Sequence, residues 1–140
     1  MADKPLPSPD LVTAPYWAAA REGRLVVQEC RACERLIFPP KPRCPRCMST
    51  PAWTQVSGKG VIHSFCVAHQ SLVAGLPAPY VVAAIALAED ARCKLTANIV
   101  EASVAEVAIG AEVEVVFEQR SADVSVPQFR LRAKRPEAAR

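Results

Sequence analysis

Two closely spaced pairs of cysteines constrain this chain more than any other feature of its sequence. Cys30 and Cys33 form one C-x-x-C pair, Cys44 and Cys47 form a second, and ten residues separate the two pairs. Each pair can fold into a knuckle that points both sulfur atoms at one centre, and two knuckles complete a tetrahedron of four thiolates. Zinc suits a soft, closed site of this kind. The spacing therefore predicts one structural Zn²⁺ ion, with no coordination position left for water or substrate.

Disulfide bonds, a redox-active C-x-x-C and an iron-bearing, rubredoxin-like electron carrier are the alternative uses of such cysteines. Glu34 and Met48 directly follow the two pairs, at positions where knuckles often hold glycine. The backbone turns left-handed there, which costs a residue other than glycine ~1 kcal/mol. We therefore expect a positive φ at both residues, and we take their presence as an argument against a finely tuned iron redox centre.

Length, charge and hydropathy narrow the class of protein. The chain has 140 residues, 51% of them hydrophobic, and a formal charge of +3, which suits one ordinary domain or two very small ones. Four zinc-bound thiolates and one divalent ion lower that charge to about +1, so attraction to nucleic acid or acidic lipid is weak. No apolar run is long enough to cross a membrane. Because the N-terminus does not resemble a secretory signal, we predict a cytoplasmic protein with reduced thiols.

The pattern of residues divides the chain into several segments. Alternating prolines predict a disordered lead-in over residues 1–12, and residues 133–140 are predicted to be a disordered tail. Residues 13–56 are predicted to form a docking helix and a zinc ribbon. The helix is expected over Pro15–Glu22, because proline is favoured at the first helical position and Gly23 supplies a stop.

Residues 57–132 contain strand-like runs separated by short turns. Five strands, with a short helix between the third and the fourth, is the order of the OB-fold barrel. We therefore predict a mostly β protein, in which a short N-terminal helix and a rubredoxin-like zinc ribbon precede a five-stranded OB-fold barrel. The predicted elements are strands at 61–69, 80–87, 91–99, 111–118 and 124–132, and helical turns within 101–107.

Few residues outside the cysteine pairs suggest chemistry. Cys66 and Cys93 fall within predicted strands and are expected to be buried core thiols. His63 and His69 share a face of one strand by its period of two, about 20 Å apart, which is too far to act on one small substrate. His69 adjoins the loop at 70–79, which makes it a candidate ligand contact. No arrangement of residues suggests catalysis.

The predicted helix is too short to be stable alone in water. Tyr16, Trp17 and Ala20 can share one of its faces, so that face must pack on something. The protein's own surface and the surface of a partner protein are the two alternatives.

The order and spacing of several short motifs resemble one family over roughly residues 15–132. That family, acyl-CoA-associated and catalogued as domain of unknown function 35, joins a rubredoxin-like zinc ribbon to an OB-fold. The motifs are Tyr16-Trp17, Arg21-Glu22-Gly23-Arg24-Leu25, Gln28-Glu29-Cys30, Phe38-Pro39-Pro40, Cys44-Pro45-Arg46-Cys47, Ser57-Gly58-Lys59-Gly60, Ser64-Phe65, Pro79-Tyr80-Val81-Val82 and Ile109-Gly110.

The resemblance implies a non-catalytic accessory subunit in a hetero-oligomer. Members of that family accompany thiolase-superfamily proteins, which include thiolases, acyltransferases and retro-aldolases that act on steroid side-chain or other lipid acyl-CoAs. It implies that the ribbon and helix dock on the partner, with Tyr16, Trp17 and Phe38 as candidates. It also places the OB-fold near the acyl-CoA channel, with His69 and Tyr80 as candidate contacts.

A single-stranded nucleic-acid-binding protein is the alternative from another class, because zinc ribbons and OB-folds both serve there. Such a protein needs exposed aromatic side chains in a basic groove. The chain has eight aromatic residues, Trp, Tyr and Phe together, of which Phe65 and Phe117 are predicted to be internal. This scarcity and the nearly neutral charge favour the accessory subunit, with no nucleic-acid or membrane partner.

Overall fold

The computed structural model describes residues 4–132 of the chain. The tail predicted at 133–140 and the first three residues of the predicted lead-in lie outside the described residues. Residues 4–10 have no regular secondary structure, and Lys4 Nζ lies 2.9 Å from Glu118 Oε1. This ion pair places Lys4 against the second half of the chain. None of the helices within residues 4–132 is long and apolar enough to cross a membrane.

The N-terminal helix, α1, spans Ala14–Arg21. It is preceded by a turn in which Asp10 Oδ1 accepts the backbone N–H of Thr13 at 2.8 Å, and Gly23 follows it with a φ of 77°. A side-chain acceptor before the first turn and a left-handed glycine after the last are ordinary helix boundaries. The helix predicted at Pro15–Glu22 is confirmed to within one residue at each end.

The cysteine pairs lie on and beside a small antiparallel sheet in which β1 is central, between β2 and β3. β1 and β2 form a hairpin around the first pair. The third strand was not predicted, because its four residues show no clear alternation of apolar and polar side chains. Its backbone hydrogen bonds within the sheet are made with β1 alone. The strands are β1 (Val26–Cys30), β2 (Arg35–Ile37) and β3 (Ala52–Gln55).

The remaining five strands close into a barrel in the order β4-β5-β6-β8-β7. A 3₁₀ turn at Val104–Glu106 lies between the third and the fourth of them. This is the predicted OB-fold, a five-stranded Greek-key barrel. Its strands are β4 (Lys59–Ala68), β5 (Tyr80–Leu87), β6 (Lys94–Val100), β7 (Glu112–Gln119) and β8 (Ser125–Leu131).

Side-chain amides help to close the barrel where β6 and β8 run parallel, because only two residues of each strand are paired there. Gln128 Oε1 accepts the backbone N–H of Asn98 at 2.8 Å, and Asn98 Nδ2 donates to the carbonyl of Val81 on the neighbouring strand at 2.9 Å. Gln128 is 6% exposed. Two polar side chains therefore extend the short parallel ladder into the barrel wall.

A β-bulge in β4 changes which of its residues face inward. Ile62 and Ser64 lie opposite consecutive residues of β5, so His63 is the extra residue. The bulge shifts the alternation by one position and turns Cys66 outward, where it is exposed. The prediction that Cys66 is a buried core thiol is wrong for this reason, whereas the burial predicted for Cys93 is confirmed.

One hydrophobic core serves both the ribbon and the barrel. Leu25 and Val27, before and within β1, belong to the same buried cluster as Ile62 and Phe129 of the barrel. Val27 and Phe129 are both fully buried. The sheet that carries the cysteine pairs is therefore packed directly on the barrel.

Candidate metal centre

The four cysteines of the two pairs converge at one point. The Sγ atoms of Cys30, Cys33, Cys44 and Cys47 all lie within 4.8 Å of one another. Cys30 Sγ is 3.5 Å from Cys47 Sγ, and Cys33 Sγ is 3.9 Å from Cys44 Sγ. Tetrahedral zinc with Zn–S bonds of 2.3 Å spaces its sulfur atoms about 3.8 Å apart. The four thiols therefore have the donor chemistry and spacing to hold one tetrahedral metal ion.

The backbone of both knuckles has the expected left-handed turn. Glu34 has a φ of 52° and Met48 a φ of 64°, which confirms the prediction for both residues. Within the knuckles, the N–H of Cys33 points at Cys30 Sγ and the N–H of Arg46 at Cys44 Sγ, each at 3.4 Å. These backbone donors stabilise negative charge on sulfur, as a thiolate ligand set requires.

The surroundings of the thiols separate their pKa values. Hydrogen bonding with Cys47 raises the pKa of Cys33 to about 12. The hydroxyl of Ser49, 3.2 Å from Cys47 Sγ, is the main cause that lowers the pKa of Cys47 to about 6. The backbone N–H of Cys47 also lowers the pKa of Cys44. The neighbours of these thiols therefore move their pKa values in opposite directions, and a bound cation favours the thiolate form of all four because cysteine binds metals as the thiolate.

Gln28 holds the segment that carries the second cysteine pair. Its Nε2 donates to the carbonyl of Lys41 at 2.8 Å, and its Oε1 accepts the N–H of Lys41 at 2.7 Å. The side chain of Gln28 is 4% exposed. Its two hydrogen bonds give the proline-rich segment the backbone partners that a neighbouring strand would otherwise supply. Sequence reasoning assigned Gln28 no role, although a polar residue amid buried strand positions before a knuckle was the available signal.

The barrel contacts the first knuckle directly. The N–H of Leu36 donates to Asp90 Oδ2 at 3.2 Å, and Arg92 Nη2 donates to the carbonyl of Glu34 at 3.2 Å. The Arg92 side chain, followed by backbone N–H donors, lowers the pKa of Asp90 to about 2. These contacts join β2 to the turn between β5 and β6, and they were not predicted because the residues lie more than fifty positions apart.

The three aromatic docking candidates lie together in one cluster. The ring of Tyr16 lies 4.9 Å from that of Trp17 and 5.5 Å from that of Phe38. Tyr16 is only 8% exposed, and its burial raises the pKa of the phenol. Trp17 and Phe38 are half-buried and pack against the common core. Tyr16 therefore packs on the protein's own surface, the first of the two alternatives for the helix face. Trp17 and Phe38 retain the exposure that a partner contact requires.

The two candidate ligand contacts lie at one end of the barrel. His69 is exposed just after β4, and Tyr80 is half-buried at the start of β5, opposite Ala68. The loop between them contains Leu72, which is 75% exposed. His63 lies in the bulge, so the strand alternation that was expected to align it with His69 is interrupted.

Comparison with known proteins covers both halves of the chain. Residues 17–53 match the family described as "ChsH2, rubredoxin-like zinc ribbon domain", and residues 53–118 match "ChsH2, C-terminal OB-fold domain". The solved structure described as "Ltp2-ChsH2(DUF35) aldolase" contains a chain that superposes with a TM-score of 0.79 at 32% identity. The match covers 89% of this chain and 98% of that one.

Curated relatives support the same family. A "DUF35 domain-containing scaffold protein" of Methanocaldococcus jannaschii is 34% identical over 102 residues, or 71% of each chain. A "Probable enoyl-CoA hydratase alpha subunit" of Thermomonospora curvata is 35% identical over 129 residues. That alignment covers 91% of this chain but only 40% of the relative.

Fold and site together define a protein with a zinc-ribbon domain and an OB-fold. With both domain matches and relatives of this identity and coverage, the chain belongs to the DUF35 family. The family resemblance drawn from its motifs is thus confirmed.

Proposed function

We propose that this protein is a non-catalytic, zinc-containing accessory subunit that docks on and supports a thiolase-superfamily enzyme acting on acyl-CoA substrates in the cytoplasm. The main support is its similarity, across both domains, to the ChsH2(DUF35) chain of an aldolase complex, of which it matches 98% at 32% identity. The name "scaffold protein" carried by the relative from Methanocaldococcus jannaschii also favours a supporting role over a catalytic one.

Zinc is the proposed occupant of the four-cysteine centre. The donor set consists entirely of sulfur, and its spacing suits Zn–S bonds of about 2.3 Å. All four positions belong to the protein, so the ion orders the ribbon and takes no part in chemistry.

The proposed docking surface consists of Trp17 and Phe38, held in place by the buried ring of Tyr16. Trp17 projects from α1 and Phe38 follows β2, so the surface joins the helix to the ribbon. Half-buried aromatic side chains that are already immobilised lose little conformational entropy on binding, and tryptophan is a common anchor of interfaces.

The proposed acyl-CoA contact lies at the end of the barrel that carries His69 and Tyr80. The exposed loop beside them presents Leu72, and a small cavity of about 110 Å³ next to Tyr80 is lined by apolar side chains that include Val81 and Ile99. Apolar surface beside a few polar groups suits the acyl end of a thioester.

An enoyl-CoA hydratase is the second candidate partner. One relative that contains a segment like this chain is named as a probable subunit of such an enzyme. Both candidates handle acyl-CoA thioesters, so the identity of the captured enzyme distinguishes them.

The test is capture of the partner from extracts of the native cells, with the tagged full chain and identification of what is retained. We expect an enzyme of the thiolase superfamily in stoichiometric amount, and acyl-CoA turnover only when that enzyme is present. Capture of a hydratase instead selects the second candidate. Turnover of acyl-CoA by the isolated chain, or retention of neither enzyme, contradicts the proposal.

Variants of Trp17 test the docking surface separately. We expect Trp17→Ala to weaken retention of the partner at least tenfold, as is typical of an interface anchor, while the circular dichroism spectrum is unchanged. Trp17→Phe keeps most of the apolar area and is the matched control, for which retention is expected to persist. Unchanged retention by folded Trp17→Ala removes this surface from the proposal.

A further inference from the structure

We propose that the barrel turn, residues 88–93 between β5 and β6, positions the first cysteine knuckle and so sets how tightly the centre binds its metal. Asp90 and Arg92 are the positioning residues. Neither is a metal ligand, and both lie in the domain that contributes no cysteine to the cluster. The inference rests on the metal-binding part of the proposed function and does not depend on the identity of the partner.

The contact with Glu34 acts on the strained residue of the knuckle. Glu34 directly follows Cys33 and has a φ of 52°, a conformation unfavourable for a residue with a side chain. Arg92 Nη2 donates to its carbonyl at 3.2 Å. A hydrogen bond from a cation to this carbonyl stabilises the turned peptide, and the turned peptide holds Cys33 Sγ toward the other three sulfur atoms.

The contact with Leu36 acts on the edge of the ribbon sheet. β2 is an edge strand, paired on one side with β1. Leu36 lies opposite Glu29, between two neighbouring pairs of the ladder, and its N–H faces outward and donates to Asp90 Oδ2 at 3.2 Å. In an antiparallel pair every second residue directs its N–H away from the partner strand. Asp90 therefore supplies the acceptor that a further strand would have supplied.

The barrel turn is itself rigid enough to serve this purpose. Asp90 Oδ1 accepts both the backbone N–H and the Nε of Arg92, at 3.0 and 2.9 Å, and Asp90 Oδ2 accepts Arg92 Nη2 at 3.0 Å. This two-pronged pairing fixes the plane of the guanidinium group. Cys93, which is 3% exposed, anchors the end of the turn in the barrel core. The geometry of the knuckle is thus imposed by a folded barrel.

Metal binding and barrel stability must consequently be coupled in both directions. A barrel that favours the metal-binding form of the knuckle is stabilised in turn when metal is bound, because linkage between two equilibria is reciprocal. A ribbon that merely touched the barrel would show no such coupling through Arg92.

The experiment measures zinc affinity of the full chain by competition with a chromogenic chelator, for wild type and Arg92→Ala. We expect Arg92→Ala to bind zinc about fivefold to tenfold more weakly, which is the effect of losing one ordinary hydrogen bond, because the Arg92 side chain is half-exposed and solvent screens its charge. The matched control is Arg130→Ala, which removes a half-exposed, ion-paired arginine of β8 and is expected to leave zinc affinity within twofold of wild type. Arg92→Lys, a milder change that keeps the charge and loses the planar fork, is expected to fall in between.

A second measurement separates positioning from a general loss of stability. Chelation is expected to lower the thermal midpoint of the barrel in wild type, and to lower it less in Arg92→Ala. Equal zinc affinity in folded wild type and Arg92→Ala, or an equal shift on chelation, overturns the inference. If Arg92→Ala does not fold, Arg92→Lys decides the question by the same two measurements. Absence of zinc binding by wild type instead refutes the metal-binding part of the proposed function as well.

Discussion

Gln28 offers a direct test of how the second cysteine pair is held in place. Replacement of Gln28 by methionine keeps the length and apolar volume of the side chain and removes both of its hydrogen bonds to Lys41. We expect the ribbon to lose stability, because the N–H and the carbonyl of Lys41 then have no partner on β1. Because methionine is about as large as glutamine, the substitution leaves no cavity, and its effect on stability reports the loss of the two hydrogen bonds alone.

The magnitude follows from the burial of the contact. A buried hydrogen bond contributes ~1 kcal/mol net, and an unsatisfied partner adds a desolvation cost of similar size. Lys41 is only partly buried, so water recovers part of that cost. We therefore expect Gln28→Met to lower the free energy of unfolding by about 2 kcal/mol, which makes the ratio of unfolded to folded protein about thirtyfold larger.

The assay is urea unfolding of the zinc-loaded protein, followed by tryptophan fluorescence because Trp53 lies on β3 of the ribbon sheet. The matched control is Gln55→Met on β3, the strand beside β1 in the same sheet. Gln55 is exposed, so its replacement is expected to change the free energy of unfolding by less than ~0.5 kcal/mol. If Gln28→Met and Gln55→Met unfold at the same urea concentration as wild type, the side chain of Gln28 does not hold the second pair, and our reasoning about it fails.

Two further predictions concern the barrel and its contact with the ribbon. Gly60→Ala is expected to destabilise the protein by about 1–3 kcal/mol, because an added Cβ would meet the carbonyl oxygen of Ala86 at 2.5 Å; an unchanged thermal midpoint contradicts this. The pKa of Asp90 is lowered from 3.8 to about 2, so its charge adds stability above pH 4 that is lost as the pH falls toward 2. Wild type is therefore expected to exceed Asp90→Asn by about 1 kcal/mol at pH 6, after allowance for screening by solvent. Urea unfolding of both proteins at pH 6 and pH 3, with a chelator present throughout so that neither protein holds metal at either pH, tests this, and a difference that does not shrink refutes it.

The parts of this protein that sequence reasoning predicted are those encoded by local patterns. The metal centre follows from the spacing of its cysteines, and the left-handed turns at Glu34 and Met48 follow from the geometry that such spacing demands. The barrel strands follow from alternation, most clearly in β7, where Val113 is fully buried and Glu112 is exposed.

The parts that escaped prediction depend on partners distant in the chain. β3 is a strand because it forms backbone hydrogen bonds with β1, and the sequence of its four residues contains no sign of this pairing. The bulge at His63 adds one residue to β4 without any glycine or proline to mark it, so the outward position of Cys66 could not be foreseen. The contacts of Asp90 and Arg92 with the first knuckle require the two domains to be placed before they can be recognised.

The shared core has a consequence for how this protein can be divided. Leu25, Val27 and Val56 complete the inner face of the ribbon only by interleaving with barrel side chains, so neither half carries a finished interior of its own. Cleavage of the chain between Val56 and Lys59 would expose a hydrophobic surface on both fragments. Each fragment would then tend to aggregate or to reassociate with the other. Swapping the metal-bearing half onto an unrelated barrel would fail for the same reason, unless the recipient offered side chains of matching shape.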